Sequence, residues 1–452
     1  MTRLCVLLAL AACSGENQQV CDVATNFGCD PALQCETVEG RTEPTCLSPV
    51  VVRGAIYDIS SHLPVMNPRI LVIGADGAPI GAAITGGSDG TYQVRISAPR
   101  DASFQPLSKR LTLWVSAPGF GTFPDRWRAA PVLDLVNAKT NAAKDALVLA
   151  SSDTDVPLLP FGGGPGRDVL SGKLPPPTPN APVLVVAVTD SSLSGPLGVS
   201  TLADGQGGYV LYGLPPAQYT IRAYTKGANY GEAPIALSAG EQTSLNLPSN
   251  PTPTSKVSGR IQIAGAGTPP TVALFIAGTY DVDSGRGDLP QGLTTTASSD
   301  GSFSLSGVPS GRYVVVPSPD NDGQALVGAP LVDAPPTVDV TAGVDAIVTS
   351  AIRIAPAVKI LGPGANGPEA LVAPPTLSWQ AVSGAESYRV TVISGVDVAA
   401  WEPKTTTGTT IPYGGQFAAG GFYRFRVQAL DGKGVLIASS EDLRGIFYQP
   451  GP

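Results

Sequence analysis

Six cysteines and a single histidine limit the chemistry available to this 452-residue chain. Cys5 and Cys13 stand in the N-terminal stretch, Cys21, Cys29, Cys35 and Cys46 follow closely, and no cysteine comes after Cys46. Four cysteines in a segment too short to bury a core read as two disulfides, with three pairings open. The alternative is a zinc site, against which stand the lack of a Cys-x-x-Cys pair and an oxidising compartment. One imidazole, His62, cannot build the multi-histidine zinc sites of hydrolases, and no nucleophile-elbow glycine pattern accompanies it. It reads as a turn residue beside Pro64. Asp76, Asp89, Asp204, Asp300, Asp322 and Asp431 each precede a glycine and read as turn residues. Asp281, Asp283 and Asp288 in one loop, with Asp320 and Asp322 in another, have the ligand type calcium takes. Antiparallel alternation of strands at 271–277, 293–297, 302–306 and 312–317 would put those loops at opposite poles, so no metal, cofactor or catalytic residue is assigned. Arg286-Gly287-Asp288, in a glycine-rich loop, reads as coincidence.

Aromatic side chains supply the one candidate ligand site. In Leu111-Thr112-Leu113-Trp114-Val115 the strand alternation sends Leu111, Leu113 and Val115 to one face and Trp114 to the other. With Phe120 and Trp127, an outward Trp114 makes a stacking platform for a glycan or a surface-protein partner. Alternatively the insert folds back over Trp114 and makes a second small core, since large aromatics are mostly buried.

The N-terminus carries a second kind of chemistry. Arg3 is followed by the apolar run Leu4 to Ala12, too short to span a bilayer, and by Leu10-Ala11-Ala12-Cys13. This string resembles the lipobox of bacterial lipoproteins. The resemblance implies a signal peptide at 1–12, lipidation of Cys13, and a mature protein held on the membrane by N-terminal acyl chains. Ser14 in place of Asp implies the outer membrane. A net charge of −8 argues against nucleic acid and against polybasic attraction to lipid headgroups.

With 53 glycines and 44 prolines the chain is expected to be all-β, because long helices tolerate neither. Three segments open with a glycine-bearing strand: Val52-Arg53-Gly54-Ala55-Ile56, Leu170-Ser171-Gly172-Lys173-Leu174 and Val257-Ser258-Gly259-Arg260-Ile261. Each continues to an Asp-Gly turn and a strand containing Tyr92, Tyr209 or Phe303. The second and third then add Gly213-Leu214-Pro215 with Tyr219 and Gly307-Val308-Pro309 with Tyr313. This string resembles carboxypeptidase regulatory-like domains, transthyretin-like β-sandwiches related to the CnaB domains of adhesins. The match covers 167–356 well and 50–156 less well. Some CnaB domains form Lys–Asn isopeptide bonds with help from an acid. Lys256 has no Glu in its domain and the Glu-bearing strand pattern is missing, so no such cross-link is expected.

The last segment follows another pattern. Pro375–Trp379, Gly384–Val392 and Gly421–Ala429 resemble strands B, C and F of a fibronectin type III domain. Tyr423, Phe425, Val427 and Ala429 alternate with Arg424, Arg426 and Gln428, as in a strand with one face in water. Trp379 is expected at the core centre, and Tyr423 in a tyrosine-corner hydrogen bond. The expected plan is a leader at 1–12, a disulfide-rich module at 13–49, sandwiches at 50–160, 167–250 and 255–356, and a fibronectin type III-like domain at 357–452. Linkers at 161–166 and 248–254 would string these as beads. The expected role is a non-catalytic spacer or adhesion module of the envelope, or an accessory carbohydrate-binding or envelope-assembly protein that presents substrate to a separate enzyme.

Overall fold

A computed structural model describes residues 21–125, 128–175, 181–189, 198–263, 269–282, 285–319, 322–327, 335–350, 352–394, 399–441 and 443–451, save 161–167. Cys13, Trp127, Asp283, Asp320 and the linker at 161–166 lie outside the described residues. The chain is all-β, and among the described residues the only helical elements are three short 3-10 turns.

The chain divides into two compact units. The first joins the residues up to Arg53 with Gln93–Lys109 and Asp134–Ala150. In it Cys21 pairs with Cys35 and Cys29 with Cys46, across an antiparallel hairpin of Gln34–Glu36 and Thr45–Leu47. A core this small needs more than staples, and segment 93–109 supplies it. The Arg100 N–H donates to the Thr37 carbonyl (2.9 Å) and the Glu39 N–H to the Arg100 carbonyl (2.8 Å). The Arg100 side chain is fully buried and its Nη2 donates to the Ser48 carbonyl at 2.8 Å.

The second unit holds Gly54–Tyr92, Arg110–Leu133 and the chain from Ser151 onward. Its repeated motif has one physical reason. A Cβ at Gly54 would stand 2.2 Å from the Thr154 carbonyl oxygen, and one at Gly172 only 1.8 Å from that of Leu245. Those same carbonyls accept the hydroxyls of Tyr92 (2.7 Å) and Tyr209 (2.5 Å). In the third copy the Phe303 ring lies where a Gly259 Cβ would go, at 2.7 Å, and lacks the hydroxyl. Glycine thus lets a neighbouring strand end press against the first strand while the aromatic residue covers the contact. Tyr219 and Tyr313 likewise donate to the carbonyls of Pro215 (2.6 Å) and Pro309 (2.8 Å), tying each Gly-x-Pro turn to the strand it starts.

The sandwiches of this unit are not beads. In strand Leu184–Val188 every residue is buried. Val183, Val185 and Ala187 enter the second sandwich's core, while Leu184, Val186 and Val188 join Tyr224 in the core cluster of the third. The linker expected at 248–254 contains a strand, Ser249–Asn250, paired with Ala228–Tyr230, and Asn229 Nδ2 donates to the carbonyls of Thr252 and Pro253. Arg69 of the first sandwich is buried and donates to the carbonyls of Leu202 (3.3 Å) and Gly208 (3.1 Å). The strand Phe422–Leu430 was expected to show one face to water, yet Arg424 is fully buried and Gln428 nearly so. Arg426 Nη1 donates to the Val282 carbonyl of the third sandwich at 3.0 Å, and Phe422 and Ile446 pack with Leu159.

Two outcomes follow. Gly172→Ala should destabilise the second unit by about 3 kcal/mol or more, because backbone stands where the methyl would go; Tyr209→Phe should cost only about 1 kcal/mol. Chemical denaturation of both variants checks the order, and a neutral Gly172→Ala would refute the packing argument. Reduction of the disulfides should remove amide-exchange protection at Arg100 as well as in the cysteine segment, since the Arg100 N–H donates to the Thr37 carbonyl. Loss confined to 21–47 would contradict the shared unit.

Candidate functional site

Within the second unit three sandwiches wall a cleft of about 570 Å3. The first wall is the outer face of strand Arg110–Ser116, whose inward Leu111, Leu113 and Val115 are buried while Thr112 and Trp114 are half-buried and line the cleft. This strand pairs antiparallel with Arg69–Gly74, which fixes the face Trp114 presents. The Trp114 indole N–H is buried with no acceptor among the described residues. Trp379 shares that lack, but it lies deep in the fourth sandwich's core at 1 % exposure.

The second wall is strand Val199–Leu202, an edge of its sheet, with Ser200 facing the cleft. The third is Phe275 with segment 286–291. The loops after 276 and 317 start at opposite poles, as expected, but the first does not stay at its pole. The strands do run antiparallel, Ile276 opposite Tyr313 and Val272 opposite Pro317. The loop nevertheless turns back over the outer sheet face, where Tyr280, Val282 and Leu289 cover Phe275, Val314 and Val316. Arg286 Nη1 thereby reaches the Pro319 carbonyl at 3.4 Å. The Arg286-Gly287-Asp288 tripeptide belongs to this wall, with Gly287 buried against Tyr280.

Charge in the cleft is largely matched by partners. The Asp125 carboxylate meets Arg128 Nε at 2.5 Å, and Arg128 also donates to the Pro157 carbonyl at 2.8 Å. The Arg128 guanidinium lies over the rings of Phe123 (5.3 Å) and Phe422 (5.9 Å). Phe120, nominated beside Trp114, does not line the cleft; its backbone bridges to Pro160. Phe275, Ser200 and residues 289–291 escaped the sequence reading, which took Arg286-Gly287-Asp288 for coincidence. Phe275 had a signal, since it sits in the apolar run Val272-Ala273-Leu274-Phe275-Ile276, buried on both faces.

The remaining candidates have structural surroundings. His62 is exposed, at φ +56°, and stacks on Tyr57 at 5.5 Å. Asp89 and Asp300 accept from the hydroxyls and then the backbone N–H groups of Thr91 and Ser302, and Asp431 from the backbone N–H groups of Val435 and Lys433, which holds their carboxyls below the usual range. Among the described residues the one His, Cys, Asp or Glu group close enough to hold a metal is Cys21, Cys29 and Cys46, whose sulfurs are in disulfides. In the first unit Glu36 is 1 % exposed and accepts from Ser97 Oγ and Ala98 N, both at 2.9 Å. Burial pushes its carboxyl above the ordinary range, against those hydrogen bonds and the nearby Arg100 and Lys109.

No protein-family model matches the chain, and no curated protein matches it in sequence. Solved structures resemble it distantly. The Bacillus anthracis TIE protein is 11% identical over 70% of this chain and 52% of its own, about half its length, with TM-score 0.17. The shaft pilin SpaA of Lactobacillus rhamnosus GG is 11% identical over 45% and 98%, with TM-score 0.19. Two B repeat units of the Staphylococcus aureus collagen-binding protein are 9% identical over 89% and 99%, with TM-score 0.19. At these scores nothing about the cleft or its ligand follows from the likeness.

The Glu36 environment makes a signed prediction. A carboxyl raised in the folded state binds its proton more tightly there than when unfolded, so its contribution is fullest below the unfolded value and is lost as pH rises through the folded one. Glu36→Gln should therefore leave the first unit at least as stable as the wild type at neutral pH and flatten that decline. Urea titrations across pH check this, and a variant less stable at neutral than at acid pH would refute it.

Proposed function

We propose that this chain is a lipid-anchored protein of the bacterial envelope, held at the outer membrane through Cys13, whose sandwiches act together as a non-catalytic binding or adhesion module. The observation that carries the reading is the interlocking of the sandwiches of the second unit, where the outer face of strand Leu184–Val188 enters the neighbouring core. Such packing gives a rigid body suited to presenting a fixed surface. The carboxypeptidase regulatory-like reading of 167–356 is supported by the matched Tyr219–Pro215 and Tyr313–Pro309 bonds. The fibronectin type III-like reading of 357–452 is supported by the buried Trp379 and by the Ala418 N–H donating to Tyr423 Oη at 3.0 Å.

A second reading, an accessory carbohydrate-binding protein, is favoured by Trp114 on the cleft wall. Anchoring is tested at the cysteine. Cys13→Ser should abolish incorporation of a fatty-acid analogue and release the protein from the membrane fraction, and unchanged labelling would overturn the anchor.

A further inference from the structure

We propose that the cleft walled by Trp114, Ser200 and Phe275 is a binding site for a short neutral oligosaccharide, with the Trp114 indole as its stacking surface. This deepens the binding-module reading and rests on it. A volume of about 570 Å3 falls within the roughly 300–1,000 Å3 of small-molecule sites. The lining combines an aromatic ring with short hydroxyls and a carboxylate, from Thr112, Thr122, Ser200 and Asp288. A sugar has that same duality, an apolar C–H face ringed by hydroxyls that both donate and accept. The Trp114 indole N–H has no acceptor among the described residues, a cost that a small turn of the ring towards a ligand hydroxyl would relieve.

Other ligand classes fit less well. An anion would need free cations, whereas Arg128 is paired with Asp125 and Arg286 donates to Pro319. A peptide adding a strand would need the backbone edge of Val199–Leu202. That edge is closed at both ends, by Arg69 on the Leu202 carbonyl and by the Gly198 N–H on the Gly278 carbonyl (2.7 Å).

Isothermal titration calorimetry on the purified full-length protein tests the assignment. The probes are maltotriose, cellotriose and triacetylchitotriose, with a trigalacturonate as the charged arm and a tetra-alanine peptide as the peptide arm. The expected result is saturable binding of at least one neutral trisaccharide. Trp114→Ala should weaken it about tenfold, equivalent to about 1.4 kcal/mol. Ser200→Trp fills the cleft from the opposite wall with Trp114 untouched and should abolish binding without shifting the melting temperature, so the proposal stays decidable even where Trp114→Ala folds poorly. No binding of any neutral probe, binding that survives Ser200→Trp, or binding of the charged or peptide arm alone would overturn it. If acylation at Cys13 is intact in that case, the anchored-module reading stands and the cleft assignment alone falls.

Discussion

Two-sided burial of central strands is the constraint on which the second unit depends. A β-sandwich ordinarily buries one face of each sheet and wets the other. Here Leu184, Val186 and Val188 on one sheet, and Ala273, Phe275, Val314 and Val316 on another, point away from their own sandwich cores or from the facing sheet and are still buried. Exposed, such faces would be contiguous apolar patches. They are covered by a neighbouring sandwich in the first case and by a returning loop in the second. Covering them brings backbone from different sandwiches into contact, and buried arginines such as Arg69 then satisfy carbonyls left at the junctions. The cleft is the space left where three such surfaces meet without closing.

This constraint sets how precise the cleft can be. Trp114 stands on a strand with three buried residues on its opposite face, and Phe275 on one buried from Val272 to Ile276, so neither is carried by a free loop. Sites built on strands keep their geometry better than sites built on loops. The cysteine unit solves a different problem. It combines two disulfides with a buried Glu36 whose charge burial disfavours.

Local patterns were legible and assembly was not. Period-two alternation read Leu111, Leu113 and Val115 inward and Trp114 outward, and the glycine-strand and Asp-Gly motifs marked out the repeats, because both depend on neighbours within one sheet. The second face of Phe422–Leu430 was misread, since Arg424 and Gln428 look like solvent residues yet are buried. Val183–Val188 held the clue, because an unbroken apolar strand signals burial on both sides. The return of the 277–293 loop over its own sheet had no local signature beyond Val282 and Leu289. Nor could the sequence join Arg100 to the cysteine module, a contact between segments separated by the first repeat's opening strands.

Val186→Asp, placed on the outer face of its strand, tests the shared core most directly. By hydrogen exchange the account predicts that this single substitution in the second sandwich also lowers amide protection across Thr271–Ile276 in the third, because the charge enters a cluster that both build. Protection lost in 181–250 alone, with the third sandwich unchanged, would contradict it and return the chain to independent beads.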